Sequence, residues 1–298
     1  MVRTPLRRSA WLSNASGAEV FLKLEVLQPT FSYKIRGAFN AIERLHASEH
    51  IRPLVTASAG NHGRALAHAA ATRGIPLTVY VPETAPRTKL DAIRALGCEL
   101  RTCRDYDDAE TAAKEHARSG IADYLSPYSH PDVIAGAGTV GLEMIEDDPA
   151  LDAIVVPIGG GGLISGIAVA AAASTSRPEV IGVEAEASQP FTASRAAGRI
   201  TQIEVRPTLA DGLAGNLDPD TITFDIVERL VPRVFTVDEA AIRDALRGIV
   251  QHERLIAEGA TGVGLAAVLS RRIDVSGRRV GVVLSGANID PEVLTALL

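Results

Sequence analysis

Lysine is scarce in this chain. Among 298 residues, thirty of them basic, only Lys23, Lys34, Lys89 and Lys114 are lysines, so chemistry that needs a primary amine has few candidates. Cys98 and Cys103 are the only cysteines. Their spacing fits neither a metal site nor a redox motif, which excludes a disulfide framework and implies reduced thiols in a cytoplasmic protein. Long apolar runs are missing too: the most apolar helical stretch, residues 163–173, is shorter than the roughly 20 residues that span a bilayer. Arg3, Arg7 and Arg8 are followed by polar residues before a secretory segment can form. Neither membrane insertion nor secretion is expected. With a net charge of -6, nothing in the composition attracts nucleic acid or anionic lipid. Low-complexity linkers and internal repeats are also absent.

What is present is an ordinary globular composition, 46% apolar, long enough for one large domain or two. Short β-rich runs at residues 20–24, 54–57, 77–81, 99–102, 153–158, 180–184 and 280–284 alternate with helical patterns. The runs 153–158 and 280–284 are almost wholly apolar, as expected of parallel strands covered by helices on both faces. An α/β architecture built on parallel sheets follows. Thr236-Val237-Asp238-Glu239 has the form of a capping box and predicts a helix running toward Gln251.

Lys34 follows a Gln-Pro turn and opens a helix whose Ile35, Ala38, Phe39, Ile42 and Leu45 share one face. An amine where a strand hands over to a helix can be aimed into a cleft, where burial lowers its pKa and makes it a nucleophile or base. Taken alone, a solvated first-turn lysine fits the same residues. Two loops suit anions. Ser58-Ala59-Gly60-Asn61-His62-Gly63 runs from a strand into a helix start, whose unpaired N–H groups suit a carboxylate; a capped turn in which Asn61 serves its own backbone fits equally well. Gly159-Gly160-Gly161-Gly162-Leu163 follows a strand and precedes a helix. Four glycines in succession are costly in chain entropy and suit backbone wrapped around a phosphate. No Gly-Lys-Ser/Thr ending makes it a nucleotide P-loop. The GxGxxG at Gly136, Gly138 and Gly141 lacks a preceding strand, and helix packing is expected there.

An activated lysine, a carboxylate site and a phosphate site together describe pyridoxal phosphate chemistry on an amino acid. The chain resembles the fold type II pyridoxal-phosphate enzymes, specifically the threonine/serine dehydratase and serine racemase group, over nearly its whole length. QPTFSYKIRGA resembles that group's lysine segment, SAGNHG its substrate-carboxylate loop and GGGGL its phosphate cup. Ala210-Asp211-Gly212-Leu213 and Leu284-Ser285-Gly286-Ala287-Asn288 resemble two further signatures. The resemblance implies a tryptophan synthase β-like fold of two parallel-sheet α/β domains with the cofactor in the cleft: a small domain, 53–130, inserted in a large one made of 1–52 and 131–298. It implies Lys34 as Schiff-base lysine and α-proton base, Asn61 on the cofactor's phenolic oxygen, and Gly159, Gly160, Gly161, Gly162 and Leu163 around its phosphate. It further implies Ser285 at the pyridine nitrogen, and Ser58, Ala59, Gly60, Asn61 and His62 around the substrate. A neutral hydroxyl at the pyridine nitrogen favours β-elimination over transamination.

The implied activity is dehydration of L-threonine, and of L-serine, to an oxoacid and ammonia in a cytoplasmic homodimer or homotetramer. Racemisation of serine or hydroxyaspartate, or dehydration of a hydroxy amino acid in osmolyte catabolism, is the alternative. A β-replacement synthase fits the lysine and ADGL segments less well, and a non-catalytic amino-acid-binding protein on the same scaffold would not need Lys34, Asn61, the glycines and Ser285 together. Ala59 stands where the racemases of this group carry a serine, which points to the lyase. Tyr33 replaces the group's usual Phe, and Phe31 lies nearby; both either shape the substrate pocket or simply pack. Glu184 matches the first ligand of the divalent-metal site of some members, but Pro190 takes the place of the Asp six residues on, so no metal is expected. A regulatory domain after Leu298, with feedback control of that kind, is not expected.

Overall fold

The computed structural model describes residues 1–47 and 52–298. Ten strands are present among them: β1 (Leu6–Arg8), β2 (Glu19–Leu24), β3 (Leu54–Ala57), β4 (Leu77–Pro82), β5 (Glu99–Cys103), β6 (Asp123–Tyr124), β7 (Ala153–Pro157), β8 (Glu179–Ala185), β9 (Arg233–Val237) and β10 (Arg279–Leu284). They fall into two compact units, one of residues 34–136 with Met1, the other of residues 2–33 and 137–298.

The first unit holds a four-stranded sheet in the order β5-β4-β3-β6, parallel throughout. Leu54, Leu77, Val79 and Val81 pack on one face, where helices Lys34–Ala47 and Asn61–Arg73 supply Ile35, Ala38, Ile42, Leu66 and Ala69. Val55, Ala57 and Tyr80 face the other way, against Ala109 and Ala113 of helix Tyr106–Arg118. Helix Lys34–Ala47 shares this core and belongs to this unit. It also packs on the start of helix Pro131–Asp147, where a Cβ on Gly136 would meet Gly37 Cα at 2.7 Å.

The second unit holds a six-stranded sheet, β1-β2-β10-β7-β8-β9, parallel except for β1 against β2. Its central strand is buried on both faces: Ala153 and Val155 join one apolar cluster, Ile154 and Val156 the other. This double burial is why the run lacks the alternation of a half-exposed strand. Gly138 and Gly141 let helix Pro131–Asp147 approach helix Gly162–Ala173, with Gly166 O 2.8 Å and Ile167 Cα 3.1 Å from where a Cβ would stand. The GxGxxG glycines are thus helix-packing positions.

The capping-box reading is corrected. Thr236 lies inside β9, paired with Glu184, and the N-cap of helix Glu239–Gly248 is Asp238, whose carboxylate accepts from Ala241 N at 2.8 Å. Glu239 instead accepts from the Leu209 N–H at 2.8 Å. A β-branched residue suits the strand, and Asp caps well two residues later. The chain continues past this helix as a π-turn, Ile249–Glu253.

Candidate active site

In the first unit β3 and β6 are parallel neighbours, so the segments that follow them leave the same edge of the sheet. After β3 comes the Ser58–Gly63 loop. Helix Asn61–Arg73 begins inside it with Gly60 as N-cap, so the first N–H groups of the helix belong to this loop. A Cβ on Gly63 would collide with the Ser58 carbonyl, whereas Gly60 faces open space. The second glycine therefore serves close packing, and the first is free of that constraint. Ser58 Oγ accepts from the Gly60 N–H at 3.3 Å. Ala59, Gly60 and Asn61 are part-exposed.

His62 turns inward. It is 2% exposed, with Nε2 3.3 Å from the Leu125 carbonyl and, among the described residues, no hydrogen-bond partner for Nδ1. Desolvation, reinforced by the Lys34 charge, lowers its pKa to about 3. The ring is therefore neutral, and a carbonyl partner places its single proton on Nε2. Thr56 Oγ1 donates to the same carbonyl at 2.9 Å.

Two residues farther on, the Pro127 carbonyl accepts from Lys34 Nζ at 2.7 Å. Lys34 is the first residue of its helix and half-buried. The other lysines are placed differently. Lys23 is fully buried against Glu143 at 2.6 Å, Lys114 pairs with Glu110 at 3.0 Å, and Lys89 lies within the short helix Arg87–Arg94.

In the second unit β10 lies between β2 and β7, all parallel, so three motif segments leave one sheet edge. After β7, Gly161 takes a left-handed φ of 85° and caps helix Gly162–Ala173. Only glycine adopts that conformation readily, and a Cβ there would also stand 2.6 Å from Phe191 Cζ. A left-handed residue followed by helix turns successive N–H groups into one concavity, a nest for an anion. Among the described residues, the N–H groups of Gly160, Gly161 and Gly162 make no backbone hydrogen bond. Leu163, next in the helix, is buried. Leu213 Cα lies 3.0 Å from where a Cβ on Gly159 would be, so the GGGGL and ADGL segments pack together.

After β10, Ser285 is 4% exposed, and its carbonyl accepts from the Tyr33 N–H at 2.9 Å. Thr261 Oγ1 donates to the Gly286 carbonyl at 2.7 Å and accepts from the Gly286 N–H at 2.9 Å. Its proton is then committed, so its 3.1 Å contact with Ser285 Oγ has serine as donor. Phe31 adopts φ 57°, a strained choice for an aromatic residue, and is 48% exposed. The Tyr33 phenol is pushed well up by burial, with the Glu258 carboxylate adding to it.

Glu184 is fully buried and accepts from Phe191 N at 2.8 Å, Thr192 N at 2.9 Å and Thr192 Oγ1 at 2.6 Å. It caps helix Pro190–Ala197, and burial raises its pKa. Among the described residues no group of three or more His, Cys, Asp or Glu is disposed to hold a metal. No helix among them is long and apolar enough to cross a membrane.

Sequence reasoning did not single out Thr223, Thr261 or Glu258, which touch the motif segments from elsewhere in the chain. Thr261, a hydroxyl inside the otherwise apolar helix Gly259–Leu269, left the one signal that was there to find.

Comparison with known proteins gives the same frame. The chain is 42% identical to an L-threonine ammonia-lyase of Thermotoga maritima over 297 residues, 99% of this chain and 74% of that protein. It superposes on the processed form of threonine deaminase isoform 2 from Solanum lycopersicum with a TM-score of 0.92 at 31% identity, covering 99% of this chain and 87% of that one. Maize serine racemase gives a TM-score of 0.92 at 34% identity, covering 99% and 91%. Residues 1–286 match the family described as pyridoxal-phosphate dependent enzyme. With a fold type II architecture and a glycine loop at the edge of a parallel sheet, the chain belongs to the pyridoxal-phosphate dependent enzymes.

Proposed function

We propose that this protein dehydrates L-threonine, and L-serine as a second substrate, to 2-oxobutyrate or pyruvate and ammonia. The residues present fit the cofactor: Lys34 offers a half-buried amine held on a carbonyl, and the left-handed Gly161 with the helix behind it offers a nest of N–H groups. Bound pyridoxal phosphate supplies the electron sink that acidifies the substrate α-hydrogen. Lys34 holds the cofactor and then takes that hydrogen as base. The N–H groups of Gly160, Gly161 and Gly162, with Gly159 and Leu163 flanking them, bind the phosphate. Asn61 would bond the cofactor's phenolic oxygen, and Ser285 would serve its ring nitrogen. The helix start at Ser58, Ala59, Gly60 and Asn61 receives the substrate carboxylate, while His62 braces that loop from inside.

The observation that carries elimination over racemisation is the methyl of Ala59 in the Ser58–His62 loop, where the racemases of this group carry a hydroxyl. Racemisation needs a second acid or base opposite Lys34. Ala59 offers a methyl, and the His62 ring is buried, neutral and bonded to Leu125. The Ser58 hydroxyl accepts from the Gly60 N–H, and Ser58→Ala separates its contribution from that of position 59. A panel of L-threonine, L-serine and β-hydroxyaspartate, read by oxoacid formation alongside D-serine, tests the assignment; D-serine outpacing pyruvate from L-serine would overturn it. Cys98 and Cys103 are free thiols, which suits the cytoplasm, and the family resemblance points to a homodimer or homotetramer.

A further inference from the structure

The glycine loop is held from behind by a side chain that belongs to none of its motifs. Thr223, fully buried at the start of helix Thr223–Leu230, donates from Oγ1 to the Gly160 carbonyl at 2.8 Å across 63 residues of sequence. Its only hydroxyl proton is committed there. The 2.9 Å contact between Thr221 Oγ1 and Thr223 Oγ1 must therefore run from Thr221 to Thr223. Thr221, itself 6% exposed, also accepts from the Thr223 N–H at 3.3 Å. The two hydroxyls form a one-way relay ending on the glycine loop.

The peptide bond gives that contact its meaning. In a planar trans peptide the carbonyl of one residue and the N–H of the next point in opposite directions. Anchoring the Gly160 oxygen on Thr223 therefore turns the Gly161 N–H to the far side. Gly161 has the φ of 85° that lets its N–H and the next ones converge. Its own carbonyl is fixed by the Ser165 N–H at 2.9 Å. Thr223 also closes the space behind the loop, since its Cβ lies 3.0 Å from where a Cβ on Gly161 would stand. Without the anchor, four glycines are among the most permissive backbone a chain contains, and the peptide would be free to flip its N–H out of the nest.

We propose that Thr223 is a positioning residue for the cofactor phosphate, its hydroxyl, supported by Thr221, locking the Gly160–Gly161 peptide with the N–H turned into the anion nest. This rests on reading the glycine loop as the phosphate site. Phosphate affinity is then set in part by a helix remote in sequence from the loop.

The test compares binding of pyridoxal phosphate with that of pyridoxal, which has the same aldehyde and ring but no phosphate, so the pyridoxal dissociation constant divided by that of pyridoxal phosphate isolates the phosphate contribution. Losing one hydrogen bond corresponds to a drop in this ratio of about 3- to 10-fold. That drop is expected for Thr223→Val with pyridoxal binding unchanged, and Thr223→Ser, which keeps the hydroxyl, should restore the wild-type ratio. Thr221→Val, which leaves Thr223 in place, should lower the ratio by a smaller factor and serves if Thr223→Val folds too poorly to measure. Equal loss of both ligands, with a fall in the melting temperature of the cofactor-free protein, would reduce Thr223 to packing and overturn the proposal. A wild-type protein that did not distinguish the two ligands would overturn the phosphate reading of the loop itself.

Discussion

Lys34 Nζ donates to the Pro127 carbonyl at 2.7 Å, and that carbonyl lies two residues beyond the one that accepts from His62. The segment following β6 thus holds the prospective nucleophile at one end and is braced by a neutral imidazole at the other.

Lys34 is expected to be the cofactor lysine. Borohydride reduction of the yellow protein followed by peptide mapping should label Lys34; a label on Lys23, Lys89 or Lys114 would move the site. Lys34→Ala should lower oxoacid production by about 10²- to 10⁴-fold, the range for losing a general base. It should retain weak cofactor binding through the glycine loop.

Ala59 is expected to keep the enzyme a lyase. Ala59→Ser places a hydroxyl in the part-exposed carboxylate loop, and D-serine formation from L-serine should rise above the wild-type level. Chiral chromatography after a fixed number of turnovers measures it. No gain would mean that position 59 does not face the substrate.

His62 should shape the acid limb of stability. The folded protein keeps the ring neutral down to about pH 3, whereas the unfolded chain takes up the proton near histidine's ordinary 6.5. Between those limits unfolding binds a proton, so stability falls as pH falls, by at most about 1.4 kcal/mol per pH unit, and is fully present above about pH 6.5. Burial also lowers the pKa of His130, which adds to the same window. Urea midpoints against pH should be flatter from 6.5 downward in His62→Gln. An unchanged slope would show that His62 titrates normally.

Glu184 is expected to act as a helix cap. Glu184→Ala strands three donors at the start of helix Pro190–Ala197 and should destabilise the protein by about 1–3 kcal/mol, read by denaturant unfolding. Magnesium should leave the melting temperature of the wild type unchanged; a rise with a saturable metal dependence would make Glu184 a ligand after all.

Gly161→Ala should destabilise even the cofactor-free protein. The left-handed φ alone costs a side chain about 1–2 kcal/mol, and Phe191 Cζ stands 2.6 Å from the new methyl. Differential scanning calorimetry without cofactor reads this directly. An unaltered melting temperature would mean that the loop relaxes freely.

Much of the frame was legible because it depends on local pattern. The strand β7 announces itself as Ala-Ile-Val-Val-Pro, and β10 likewise from Val280 to Leu284, since a stretch buried on both faces has no polar residue to confuse the period. The edge strand β9 was missed because it is only half-buried and starts at Arg233, whose guanidinium pairs with Glu179 on β8 at 2.6 Å. At two residues, β6 is too short to carry any period.

The sequence by itself determined the parallel α/β architecture, the unusual lysine, the two anion loops and the helix-packing role of Gly136, Gly138 and Gly141. Each of these is written in residues adjacent along the chain, in spacing, glycine content or apolar period. Only the tertiary structure decided which groups hold those motifs in place. Thr223 anchors Gly160 from 63 residues away, and Thr261 Oγ1 accepts from the Ser285 hydroxyl across 24 residues. His62 turns inward to a carbonyl on β6's trailing segment. Such contacts join residues distant in sequence, and a hydroxyl or carboxylate does not show its partner until the chain has brought a donor or acceptor within about 3 Å.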